Sequence, residues 1–347
     1  TVIREFVSNN LTGSSIINNI NCFTTQKGIY MDLRFWGVRG SLATPLTNAA
    51  LKAKIAEILK LGVEAGLNAE FQISDFMNSL PPYLLQTAGG DTTCVEINTG
   101  GEVIILDAGT GIRPLGLNLL ERFSGKPVEA NILLSHIHWD HICGIPFFIP
   151  GYIPGNNINL YASHPNIEKR INNQQKTPYF PVPLGKSYNF IQLKNQDGSA
   201  KKKFKIGNVD VETMPLHHPG GSFGYRVSHS GKTIVFATDA EYKDPSSVAL
   251  KPYVEFFRNA DVLIFDAQYT FVENVEKEDW GHSNVFTGVD IALEAGVKNL
   301  LITHHEPTYS DSVLWKNLQK ARDYLNTMDP DSDMNVEIAI EGFKLSL

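Results

Sequence analysis

Ser135-His136-Ile137-His138-Trp139-Asp140-His141 follows directly on the apolar run Asn131-Ile132-Leu133-Leu134, and the rest of the chain is read from there. Three imidazoles and one carboxylate fall within six residues, in a chain that has 10 histidines among 347 residues. Neutral imidazole and carboxylate are the nitrogen and oxygen ligands of zinc and its borderline neighbours. The apolar run reads as a buried strand, so these side chains should leave a sheet together at its C-terminal edge. His136 and His138 alternate as on an extended chain and can face one ion. Asp140 and His141 follow where the chain must turn, and can face a second ion beside the first. A chance cluster of surface histidines is the competing reading, and the density of the cluster argues against it.

Working outward, the same design recurs. Val103-Ile104-Ile105-Leu106 ends in Asp107, followed by glycines at 109 and 111; this Asp suits the task of holding a metal-ligating His by its free ring nitrogen. Val209 to Met214 ends at His217-His218, with Phe223-Gly224-Tyr225-Arg226-Val227 as its hairpin partner. Thr233-Ile234-Val235-Phe236-Ala237 ends in Thr238-Asp239, Val262-Leu263-Ile264-Phe265 in Asp266, and Leu300-Leu301-Ile302 in Thr303-His304-His305. One ion takes His136, His138 and a third His, for which His218 is the candidate. A second takes Asp140, His141 and His304, and Asp239 is placed to bridge the two.

Helical spacing is read over 47–66, 74–80, 112–123, 285–296 and 312–328. The first two form a helical insertion at 47–80, read as packing or a dimer surface rather than catalytic. Residues 146–183, rich in Pro, Gly, Asn and aromatics, read as a lid, a wall or an irregular packing segment. Lys201-Lys202-Lys203 and Lys205 read as a solvated turn. Cys143, two residues past the metal motif, is read as a small buried hydrophobe rather than a ligand.

Composition sets the outer limits. The hydrophobic fraction of 42% and charged fraction of 19% are those of a soluble globular enzyme. The net charge of −7 offers no broad basic field for a long nucleic acid. Three cysteines make no disulfide framework and fit a cytoplasmic location. No apolar run is long enough to span a membrane. Residues 1–30, rich in Asn, Ser and Thr, read as a leader or N-terminal extension, and 31–347 as a single domain without internal repeat or linker.

The ordered set of strand-end residues resembles the metallo-β-lactamase superfamily, and within it the phosphodiesterase and ribonuclease Z-like branch. The matching pieces are Asp107 in Leu-Asp-Ala-Gly-Thr-Gly, His136, His138, Asp140 and His141, His218 ahead of Phe-Gly-Tyr-Arg, Asp239 in Ala-Thr-Asp, and His304 in Leu-Ile-Thr-His. The resemblance implies an α/β fold, an αββα sandwich with a dinuclear site at one edge of its sheets. It prefers His218 over His217 and His304 over His305. Trp280-Gly281-His282-Ser283 resembles the ribonuclease Z segment whose His assists proton transfer. Asp266 falls where that family has a Glu partnered with this His, and the shorter Asp arm puts the pairing in doubt.

The function expected from this is hydrolysis of a phosphodiester, in a small or cyclic nucleotide. Two divalent ions, zinc first and Mn or Fe as alternatives, are the expected cofactors. His282, Asp266 and Asp140 are the expected catalytic groups. The alternatives are tRNA 3′ processing of the ribonuclease Z kind and thioester hydrolysis of the glyoxalase II kind. β-Lactam hydrolysis is disfavoured because Asp239 stands where common zinc-dependent lactamases place a Cys or nothing equivalent. A homodimer is expected by analogy with relatives.

Overall fold

The apolar runs become strands of two seven-stranded sheets. The computed structural model describes residues 31–347 apart from 68–69, 196, 198–199 and 244–245. The extension read over 1–30 lies outside the described residues. The first sheet is built from β1 (Asp32–Gly37), β2 (Cys94–Asn98), β3 (Val103–Leu106), β4 (Glu129–Leu134), β5 (Asn157–Ala162) and β6 (Tyr188–Gln192). The second takes β7 (Lys203–Ile206), β8 (Val209–Leu216), β9 (Ser222–His229), β10 (Lys232–Ala237), β11 (Val262–Asp266), β12 (Asn299–Thr303) and β13 (Asn335–Ile338). The chain then crosses back and adds β14 (Lys344–Ser346) beside β1. The spatial orders are β14-β1-β2-β3-β4-β5-β6 and β13-β12-β11-β10-β9-β8-β7.

The two-residue period of an extended chain sorts each strand between two layers. Ile104 and Leu106 of β3 point into the space between the sheets, whereas Val103 and Ile105 point outward. Val262 and Ile264 of β11 likewise face inward, and Leu263 and Phe265 face the opposite side. Runs apolar on both faces suit strands buried on both sides. Each fully buried aliphatic side chain adds on the order of 1.5–3 kcal/mol of transfer free energy.

Helices cover the outer faces. Between β1 and β2 lie α1 (Asn48–Glu64), α2 (Glu70–Ser79) and the short α3 (Pro82–Leu85), where the insertion is expected. The apolar residues that give α1 its helical spacing are not buried: Leu51, Ile55, Leu59 and Val63 are all exposed. α4 (Ile112–Phe123) packs Leu115 and Leu119 on the outer face of the first sheet. The one-turn α5 (Trp139–Ile142) carries part of the histidine motif, and α6 (Ile167–Gln174) follows β5. α7 (Ser247–Phe257), the short α8 (Phe271–Glu276), α9 (Val285–Ala295) and α10 (Asp311–Met328) belong to the second half; α7, α9 and α10 contribute to its outer core. The layers are therefore helix, sheet, sheet, helix. No helix among the described residues is long and apolar enough to cross a membrane.

Three local readings are corrected. The stretch 146–183 is only partly irregular, because β5 runs through it with Ile158, Leu160 and Ala162 buried; the flanking Pro, Gly and Asn hide that alternation. Lys203 and Lys205 lie on the edge strand β7 rather than in a turn, and pair across it with Glu212 and Asp210. Lysines on an edge strand discourage pairing with another chain. Cys143 is half-buried, its Sγ 3.7 Å from Thr92 Oγ1, rather than fully enclosed.

Strand direction gathers the polar strand ends. β3, β4, β5 and β6 are mutually parallel, as are β10, β11, β12 and β13. β8 and β10 both run antiparallel to β9. The C-terminal ends of β3, β4, β8, β10, β11 and β12 therefore supply the residues of one edge of the sandwich.

Candidate metal centre

Hydrogen bonds on the far side of each imidazole decide which nitrogen is bare. His141 Nδ1 lies 2.7 Å from Asp107 Oδ2, and a carboxylate only accepts, so Nδ1 carries the proton and Nε2 a lone pair. Asp107 also accepts from Ser135 N at 2.7 Å and Ser135 Oγ at 2.6 Å. With its hydrogen so used, Ser135 Oγ accepts from His136 Nδ1 at 3.0 Å. His218 Nδ1 donates to Gly281 O at 2.8 Å. His304 Nδ1 donates to Gln268 Oε1 at 3.0 Å, while Gln268 Nε2 donates to Glu306 Oε2 at 2.8 Å and Ser41 Oγ at 3.2 Å. Four rings thus turn a bare Nε2 toward the same edge.

These atoms converge in two groups. His141 Nε2 lies 3.2 Å from His304 Nε2, 3.1 Å from Asp140 Oδ2 and 3.2 Å from Asp239 Oδ2. His304 Nε2 is 3.3 Å from Asp140 Oδ2 and 3.4 Å from Asp239 Oδ2. In the other group, His138 Nδ1 is 3.1 Å from His218 Nε2, and Asp239 Oδ1 is 3.8 Å from His136 Nε2 and 3.7 Å from His218 Nε2. Ligand bonds of about 2.0–2.1 Å at tetrahedral angles place neighbouring ligand atoms about 3.3 Å apart. His136 Nε2 and Asp239 Oδ2 are buried without a hydrogen-bond partner. The donor set therefore fits two divalent cations, with Asp239 offering one oxygen to each group.

The electrostatics make the same demand. Burial lowers the affinity of His136, His138 and His218 for protons, leaving them neutral and ligand-ready. Burial opposes protonation of His141 and His304 too, but is outweighed. Asp140, Asp239 and Asp107 hold His141 well above its ordinary range; Asp239 and Asp140 lead in raising His304 to about 9. In return, against burial, His141 holds Asp140 and Asp239 far below the usual carboxylate range, with help from His304. The carboxylates call for positive charge at this point, which divalent cations held there would supply.

Asp266 and His282 form a second layer. Asp266 Oδ2 accepts from His282 Nδ1 at 2.7 Å and from Asp239 N at 3.1 Å, and Oδ1 accepts from Gln268 N at 3.0 Å. The shorter Asp arm does span the gap to its histidine. The His282 ring stacks on His304 with centroids 5.0 Å apart and meets His218 edge-on at 5.3 Å. Asn284, two residues on, caps α9 by accepting from Phe286 N and Thr287 N. His305 turns away from the cluster, donating Nε2 to Ala339 O at 2.8 Å, and burial moves its pKa down to about 4. His217 is exposed and its carbonyl accepts from Glu241 N. Cys143 joins none of the donor groups found among the described residues.

The backbone here is strained. Asp107, Asp239 and His304 have φ of 61°, 58° and 61°, in the left-handed region. Each costs on the order of 1 kcal/mol, and such residues gather at functional sites. Gly281, at φ 84°, sits where a Cβ would lie 2.2 Å from His218 Nδ1.

Several supporting residues escape a reading of the sequence. Ser135 and Gln268 are uncharged residues that position ligand histidines through hydrogen bonds, with no residue-type signal of their own. His164 follows β5 and donates Nε2 to Gly221 O at 3.0 Å, steadying the turn after His218. Reading β5 as a strand would have flagged it as one more strand-end histidine.

Comparison with known proteins agrees with this architecture. The family model described as "Beta-lactamase superfamily domain" matches residues 102–305. Ribonuclease Z of Prochlorococcus marinus (strain NATL1A) is 24% identical over 263 residues, spanning 56% of this chain and 80% of that protein. The crystal structure of the metallo-β-lactamase fold protein YhfI from Bacillus subtilis superposes with a TM-score of 0.59 at 18% identity, covering 92% of this chain and 100% of that one. The short form of human tRNase Z gives 0.54 at 15% identity, covering 90% and 98%. These two structures speak to the fold. The matched span runs from before Asp107 to beyond His304 and so holds every donor atom of the two converging groups, and on that match the chain belongs to the β-lactamase superfamily, as a metallo-hydrolase.

Proposed function

We propose that this hydrolase is a phosphodiesterase acting on a small or cyclic nucleotide, with His136, His138, His218, Asp140, His141, His304 and the bridging Asp239 holding two divalent ions, zinc first. The observation that carries the reading is the Asp266–His282 pair, joined at 2.7 Å and stacked against the donor cluster. Cations held there would supply Lewis acidity, lowering the pKa of water and neutralising charge on phosphoryl oxygens. A sugar alkoxide leaving a phosphodiester needs a proton. With Nδ1 fixed on Asp266, the Nε2 of His282 is the atom that delivers it. A thiolate leaves without that help, so the pair favours phosphodiesters over thioesters. The outer oxygen of Asp140 orients the attacking water.

A second reading, tRNA 3′ processing, is favoured by the similarity to ribonuclease Z. The net charge of −7 weighs against it as a long-nucleic-acid enzyme. The test is turnover of bis-p-nitrophenyl phosphate, a cyclic-nucleotide panel, a 3′-extended tRNA and a thioester, each with Zn, Mn or Fe added. Cleavage of the small phosphodiesters above the other substrates is expected. Rapid thioester cleavage with no phosphodiester turnover would overturn the proposal, and preference for the tRNA would select the second reading.

A further inference from the structure

The loop after β1, Val38-Arg39-Gly40-Ser41, takes no part in the proposed chemistry but is built against the cluster. Arg39 is buried and pins the loop: Nε donates to Gly89 O at 2.9 Å, and Nη1 to Glu306 O at 3.2 Å and Tyr309 O at 3.1 Å. Gly40 passes so close to His304 that a Cβ would lie 2.3 Å from its Nδ1. Ser41 comes next, exposed, with φ 60°. Its N–H donates to Asp140 Oδ2 at 2.8 Å, the oxygen that converges with His141 and His304. Its Oγ accepts from Gln268 Nε2 at 3.2 Å, and Gln268 in turn holds His304.

The hydroxyl is thus fixed from one side only. A buried amide occupies one of its acceptor positions, and its own O–H finds no acceptor among the described residues. A glycine would fit the left-handed backbone without cost and would keep the N–H on Asp140. What serine adds at this position is a donor at the lip of the cluster. We propose that Ser41 is a substrate-binding residue, donating its O–H to a non-bridging oxygen of the substrate's phosphoryl group. The proposal rests on the phosphodiesterase reading and narrows it to an anionic, tetrahedral oxo-group held beside Asp140.

The test is Ser41→Gly in the metal-loaded protein, which removes the hydroxyl and leaves the loop relaxed. Three quantities are read: metal content, kcat and KM for bis-p-nitrophenyl phosphate, and calorimetric affinity for inorganic phosphate. Metal content equal to that of the parent is expected, with kcat/KM and phosphate affinity each about tenfold lower, the worth of one hydrogen bond to a charged group. Unchanged kcat/KM and phosphate affinity would overturn the proposal. So would a loss of metal, which would make Ser41 a support for Asp140 alone. If the parent protein turned over no phosphodiester, the functional reading would fail by itself, and the phosphate affinities of the two proteins would still decide the role of Ser41.

Discussion

On the proposed function, His282 and Asp107 would divide the residue-scale roles between proton delivery and metal retention. The His282 ring stacks on His304 and its Nδ1 is engaged by Asp266, so His282→Ala should lower kcat by about 10²–10⁴-fold with metal content unchanged. Steady-state kinetics beside elemental analysis checks this; loss of metal would assign the ring a ligand role. Asp107 works the other way. It fixes His141 directly and His136 through Ser135, so Asp107→Ala should weaken metal binding by about 10–100-fold, read by competition with a chelating dye. Most residues with charge or imidazole were legible in the sequence because they stand at or just after the end of an apolar run, whereas His282 came from the resemblance carried by Trp280-Gly281-His282-Ser283. The roles of Ser41, Ser135 and Gln268 were not legible, since an uncharged hydrogen-bonding side chain leaves no pattern until the two sheets are docked.

At the scale of elements, short continuous apolar runs made most central strands legible, and 3.6-residue spacing gave α4, α9 and α10. The reading failed where composition masked the alternation, as in β5, and where charge on an edge strand resembled a turn, as at Lys203 and Lys205 of β7. α7 escaped because Pro252 interrupts its pattern. The joining loops matter as much as the strands. Gly281 leaves no room for a side chain against His218, so Gly281→Ala should displace that ring and empty the group formed with His136 and His138. About one ion per chain should remain instead of two, with little change in thermal unfolding of the cores; two ions retained at parental affinity would refute the crowding argument.

For the whole molecule, the layer order followed from a resemblance and not from the strands themselves, because periodicity says which face of a strand is apolar but not which strand lies beside it. One titratable group ties distant parts together. Glu341, after β13, accepts from Asp91 N at 2.6 Å, and burial raises its pKa to about 7. Its folded state binds a proton that the unfolded chain, titrating near 4.3, releases earlier. Stability from this group should therefore fall as pH rises from about 4.5 to about 7. Glu341→Gln should flatten that slope and leave the protein on the order of 1 kcal/mol more stable than the parent at pH 8, measured by urea unfolding across the range.

The carboxylate of Asp239 reaches from the second sheet to histidines carried by the first, and neither sheet alone contributes a full set of donors. Ions bound there would have to wait until the two halves have closed on each other, and would act as a rivet through the seam. Starving the protein of ions should loosen that seam before it melts either half, and hydrogen exchange at strand residues whose side chains face the gap, Leu106 and Phe236 among them, would register the parting first.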